Sequence, residues 1–69
     1  MMNLKNNLKR FRFDHEQITQ EKLADALGVS RQTVLAIENG KFNPSVKLAL
    51  KMAQLFGCQV EDLFYLEEQ

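Results

Sequence analysis

The sequence predicts an all-α fold, a compact bundle of five helices in a single domain spanning residues 1–69. Three observations predict it. Apolar residues recur three and four positions apart along nearly the whole chain, the spacing of one helix face. Every run that alternates like a strand is interrupted. Gly28, Gly40 and Gly57 each follow a periodic stretch, where a left-handed residue closes a helix, and Thr19, Ser30 and Ser45 each precede one, where a hydroxyl caps it.

Leu4, Leu8 and Phe11 form the apolar stripe of a first helix, with Lys5, Lys9 and Arg12 parallel to it on a neighbouring stripe. "DHEQI" is a polar connection. Thr19 caps a second helix with Glu21 near its positive end; Leu23, Ala24 and Leu27 face inward and Gly28 stops it. Only Val29 separates that glycine from Ser30, which caps a third helix running from Arg31 to about Asn39. Pro44 disfavours helix at Asn43, so "KFNP" is a loop and Ser45 caps a fourth helix. In "VKLALKMAQLF" only Lys47, Lys51 and Gln54 are polar, and so narrow a stripe predicts a central helix packed on most sides. "QVEDLF" gives a short fifth helix, and the tail, residues 65–69, frays or forms a short strand.

Hydrophobic residues at 45% and charged residues at 26% are ordinary for a globular protein and argue against disorder. A chain this short buries only about 60% of its unfolded surface, so its core is marginal and a second copy would help it. No apolar run approaches the roughly 20 residues that cross a bilayer, and "MMNLKNNLKRFRF" has no apolar signal region. The expected location is therefore the cytoplasm. Cys58 is the single cysteine and His15 the single histidine, with no neighbours at ligand spacing, so neither a metal nor a cofactor is expected. Net charge is zero, but residues 1–56 hold nine basic against five acidic residues, and residues 57–69 hold four acidic and none basic. The body thus carries a net +4 and the tail −4, an asymmetry that allows a positive face.

Two short helices joined by a tight turn with glycine, here about residues 19–39, make the helix-turn-helix pattern. At about 100° per residue, Val34 and Ile37 of the second helix face the core. Gln32, Leu35, Ala36 and Asn39 then point away from it, with Arg31 on the flank at the N-terminal end. A major groove admits one helix, and side chains near its N-terminus reach base edges first. Arg31 suits guanine O6 and N7, and Gln32 suits adenine N6 and N7 or donates to guanine. For these two residues alone, an ordinary solvated helix face is the better explanation.

The stretch "TQEKLADALGVSRQTVLAIENGKFNPSVKLALKMAQLFGCQVEDLF" changes that balance, because it resembles the Cro/C1-type helix-turn-helix regulators, the XRE family, and in particular their small stand-alone members. The resemblance runs from about Leu8 to Phe64 and is carried most specifically by "LGVSRQTV", "IENGK" and "NPS". It implies a five-helix domain of the lambda-repressor-like DNA-binding type. It further implies that Arg31 and Gln32 read bases, while Gln20, Ser30, Thr33, Asn39 and Lys41 hold the DNA backbone. Arg12 and Glu38 match a pair that ties the first helix to the recognition helix in many members; a solvent-facing Glu38 is the alternative.

Two departures from the family pattern stand out. Leu35 and Ala36 are apolar where members commonly carry small or polar residues, and both are candidates for base contact. Leu35 would touch a thymine methyl group, or else cover a neighbouring helix end. The connection from Arg12 to Gln20 is one residue longer than usual, which affects Phe13, Asp14 and His15. Phe42, in the loop after the third helix, is expected to pack down as a lid.

A domain reading a few base pairs gains from two-fold symmetry on a palindromic operator. Leu55, Leu63, Phe64, Tyr65 and Leu66 supply the candidate homodimer surface, although Leu63 and Phe64 would also serve to close the core. No catalytic constellation or phosphate-cradling glycine loop is present, so an enzyme is not expected. No membrane partner or small-molecule ligand is indicated. The expected function is a sequence-specific regulator binding double-stranded DNA, most simply a dimeric repressor. The alternative is an antitoxin-like protein-binding module of a toxin–antitoxin pair, disfavoured by the short stretch beyond Phe64.

Overall fold

The computed structural model describes residues 2–68. In chain order it contains β1 (Met2–Asn6), α1 (Leu8–Asp14), α2 (Gln20–Leu27), α3 (Arg31–Glu38), α4 (Val46–Phe56), α5 (Val60–Leu63) and β2 (Phe64–Glu68). The five helices are those expected. The all-α reading needs correction, because the two ends of the chain pair as an antiparallel two-stranded sheet with Leu4 opposite Leu66 and Lys5 opposite Tyr65.

The first helix begins at Leu8, one turn later than its apolar stripe suggests. The reason lies in the asparagines. Asn6 Oδ1 accepts the Leu8 backbone N–H at 3.1 Å, and the Asn7 N–H donates to the Leu63 carbonyl at 2.8 Å. Such local and cross-chain bonds offer the backbone an alternative to a helical turn. Leu4 still packs on the core, now from a strand. Strand pairing across the length of the chain leaves no periodic signature in either partner alone.

The middle elements follow their caps. Thr19, Ser30 and Ser45 each accept an N–H three residues on, from Lys22, Thr33 and Leu48 at 3.1 Å. The stops at Gly28 and Gly57 take φ of 74° and 65°, a region costly for residues with a Cβ. Lys51 Nζ donates to the Leu27 carbonyl at 2.9 Å, placing a cation on the negative end of α2.

Leu8, Leu23, Leu27, Val34, Ile37, Met52, Phe56, Leu63 and Phe64 are the larger members of one continuous core. In α4 the buried face is Ala49, Met52, Ala53 and Phe56, four residues where α2 buries three. Yet α4 is not packed on most sides. Val46 is 78% exposed, and Leu50 and Leu55 also face out, because so small a bundle has layers enough to cover one face of it only. Phe42 does not fold down as a lid either; it is exposed.

The long α1–α2 connection turns through Glu16 and Gln17, both left-handed at φ 57° and 55°. Arg12 fastens it twice at Ile18: the Ile18 N–H donates to the Arg12 carbonyl at 3.1 Å, and Arg12 Nη1 donates to the Ile18 carbonyl at 3.2 Å. His15 sets its ring edge-on to Phe56, with centroids 4.9 Å apart.

Candidate nucleic-acid interface

Packing orients α3 before any partner is considered. Val34 and Ile37 are fully buried and fix which way the helix faces. Its C-terminal end is held by Asn6 of β1, whose Nδ2 donates to the Ile37 carbonyl at 2.9 Å. Its last residue, Glu38, turns inward. The Glu38 side chain is only 4% exposed and accepts from Arg12 Nε at 2.8 Å, Gln20 Nε2 at 3.0 Å and Arg12 Nη2 at 3.4 Å. An acidic residue at a helix C-terminus opposes the helix dipole. The charge-assisted bonds from Arg12 outweigh that penalty and lock α1, α2 and α3 together.

The outward side of α3 forms a ridge between two shallow grooves. Arg31, Leu35 and Asn39, one turn apart in succession, line the groove that α1 and α2 border through Lys9 and Gln20. Gln32 and Ala36 line the other with Ser30, Thr33 and Phe42. Arg31 and Gln32 are exposed, and Ala36 is half-buried. Leu35 is 43% exposed beside Arg31 and lies outside the apolar core.

The residues assigned to the DNA backbone surround this ridge. Ser30 and Thr33 share a hydroxyl–hydroxyl bond of 2.9 Å, which uses one of their two protons and leaves the other for an acceptor. Gln20 spends one amide N–H on Glu38 and keeps the second. Asn39 and Lys41 are exposed just past the end of α3, where the Lys41 N–H donates to the Ala36 carbonyl at 2.9 Å. Of the nine predicted contact residues, Gln20, Arg31, Leu35 and Asn39 line one groove beside α3, Ser30, Gln32, Thr33 and Ala36 line the other, and Lys41 lines neither.

The candidate dimer residues do not stay together. Leu63 is 0% exposed and Phe64 is also buried, so both belong to the core of the single chain and offer no surface to a second copy. Tyr65 and Leu66 are exposed but, as neighbours on a strand, project to opposite faces of the sheet. Leu55 is exposed on α4.

The role of Asn6 was not foreseen, because its partner lies 31 residues away; the asparagine-rich start of the chain was the only available signal. Burial, with Asp62 adding a smaller contribution, pushes the Cys58 thiol up, so it stays protonated at neutral pH. Among the described residues there is no group of His, Cys, Asp and Glu that could hold a metal, and no helix is long and apolar enough to cross a membrane.

Comparison with known proteins agrees with this geometry. The helix-turn-helix family model matches residues 9–63, from α1 to the end of α5. An uncharacterized HTH-type transcriptional regulator, MJ0272 of Methanocaldococcus jannaschii, is 55% identical over 65 residues, covering 94% of this chain and 97% of its own. The uncharacterized HTH-type transcriptional regulator YgzD of Bacillus subtilis is 48% identical over 68 residues, covering 96% and 98%. A crystal structure of a candidate DNA-binding protein from Bacteroides fragilis superposes with a TM-score of 0.80 at 26% identity, covering 90% of this chain and 98% of that one. The chain belongs to the XRE-type helix-turn-helix family, a DNA-binding and non-enzymatic class.

Proposed function

We propose that the protein is a cytoplasmic transcriptional regulator that binds double-stranded DNA by laying α3 in the major groove. The observation that carries this reading is the exposure of Arg31, Gln32 and Leu35 on the first two turns of a helix whose opposite face is fully buried. Arg31 reads a guanine, Gln32 an adenine or guanine, and Leu35 a thymine methyl group, with Ala36 allowing close approach. Gln20, Ser30, Thr33, Asn39 and Lys41 hold the sugar–phosphate backbone and set register without reading sequence. Two copies occupy a palindromic operator, using Leu55 and one face of the sheet for contact, and repress by covering the promoter. Relatives described as transcriptional regulators support the class of function.

Binding to the DNA upstream of its own gene, against a scrambled duplex of equal length, tests this reading across a salt series. Wild type is expected to prefer the upstream duplex, with a steep loss of affinity on both as salt rises. Arg31→Ala is expected to lose about 1–3 kcal/mol of that preference, the worth of one bidentate base contact. An Arg31→Ala protein that discriminates as wild type does removes Arg31 from base reading.

A further inference from the structure

The outer wall of the recognition surface is built by parts of the chain outside the helix-turn-helix, and it is basic. Lys9 of α1 lines the groove that holds Arg31, Leu35 and Asn39. Lys5 of β1 lines an adjoining groove with Asn3, Asn39 and Asn43. Glu38 and Asn39 border both grooves, so the two lysines flank the C-terminal half of α3 in sequence. Neither lysine has a salt-bridge partner among the described residues, where only Arg10–Asp14 and Arg12–Glu38 are paired. The Glu38 carboxylate on this wall is neutralised by Arg12. Glu21, on the α2 rim of the first groove, is the one other acidic residue lining either, and Arg31 and Lys9 outnumber it. The linings of the two grooves therefore carry net positive charge with asparagine amides between, a surface suited to phosphate oxygens; Glu67, opposite Asn3 on the sheet face that Lys5 shares, lies outside both linings.

We infer that Lys5 and Lys9 bind DNA backbone phosphates alongside the C-terminal half of α3, extending the clamp beyond the helix-turn-helix onto the terminal sheet. The inference rests on the reading of α3 as a major-groove helix. It also gives the sheet a task. Pairing of Lys5 opposite Tyr65, and the Asn6 bond to Ile37, hold β1 against α3, so the C-terminal strand positions a DNA contact made by the N-terminal one. The lysines fix register and raise affinity for any sequence, because phosphates carry no base identity.

The test uses the full chain with Lys5→Gln, Lys9→Gln and the double variant, each first shown by thermal melting to fold. Affinity is measured as a function of salt on the upstream and the scrambled duplex. Each phosphate contact contributes about 0.9 to the slope of log K against log salt. The double variant is expected to lose between one and two units of slope and to weaken equally on both duplexes, leaving the preference ratio unchanged. Lys5→Arg and Lys9→Arg are expected to keep the wild-type slope. A double variant with the wild-type slope overturns the inference while leaving α3 as the reader. A wild-type protein with no salt-dependent binding to either duplex overturns both together.

Discussion

Arg12→Ala is expected to lose most of the domain's stability, about 3–5 kcal/mol, because it strands a buried carboxylate. Glu38 is 4% exposed at its side chain, and without Arg12 its remaining partner is the Gln20 amide. The same substitution frees the Ile18 carbonyl that Arg12 Nη1 now satisfies and loosens the left-handed α1–α2 connection. A core of this size rarely supplies more than about 3–5 kcal/mol in total, so the variant should be largely unfolded at moderate temperature. Thermal melting by far-UV circular dichroism reads the effect directly, at roughly 4–8 °C per kcal/mol for a domain of this length. Glu38→Ala should cost less, since Arg12 is 12% exposed and keeps a carbonyl partner. Replacing both residues by apolar ones should recover part of the loss, because no charge is then left unpaired. An Arg12→Ala protein melting within a few degrees of wild type would mean that Glu38 is hydrated in solution and that the three-helix lock is not structural.

Leu63→Ala should be the next largest loss, about 2–5 kcal/mol, from removed apolar surface together with the cavity left behind. Leu63 is fully buried in the single chain, and its carbonyl receives the Asn7 N–H, so its position also anchors the junction of β1 and α1. If it acts in the core, the loss of melting temperature is the same at every protein concentration. A loss confined to dilute protein would instead make Leu63 part of an assembly interface, against its burial in the monomer.

The middle of the fold was legible because its signals are local. Thr19, Ser30 and Ser45 cap the helices that follow them, and Gly28 and Gly57 end them in the left-handed conformation. The outward face of α3 could be read the same way, since burial of Val34 and Ile37 fixes the exposure of Gln32 and Leu35. The ends were not legible. Leu4, Leu8 and Phe11 fit a helix stripe equally well whether Leu4 sits in that helix or in a strand against it, and the choice is made by Leu66, 62 residues away. Apolar residues in a short tail carry the same ambiguity: Leu63 and Phe64 went to the core, while Leu66 stayed exposed. In α4, composition alone could not tell an apolar helix packed all round from one that leaves Val46 and Leu50 to solvent. Pairing of Arg12 with Glu38 was implied by family resemblance and had no local sequence signal of its own.

The Arg31–Gln32–Leu35 face of α3 is the surface expected to meet DNA. Amide and methyl resonances of the labelled protein, followed as the upstream duplex is added at low salt, test it most directly. The largest shifts are expected at Arg31, the Gln32 side-chain amide and the Leu35 methyls, with smaller ones around Gln20, Ser30 and Thr33, and little change at Val46 and Leu50. Shifts centred on α4 or on the exposed sheet residues Tyr65 and Leu66, with α3 unchanged, would contradict it.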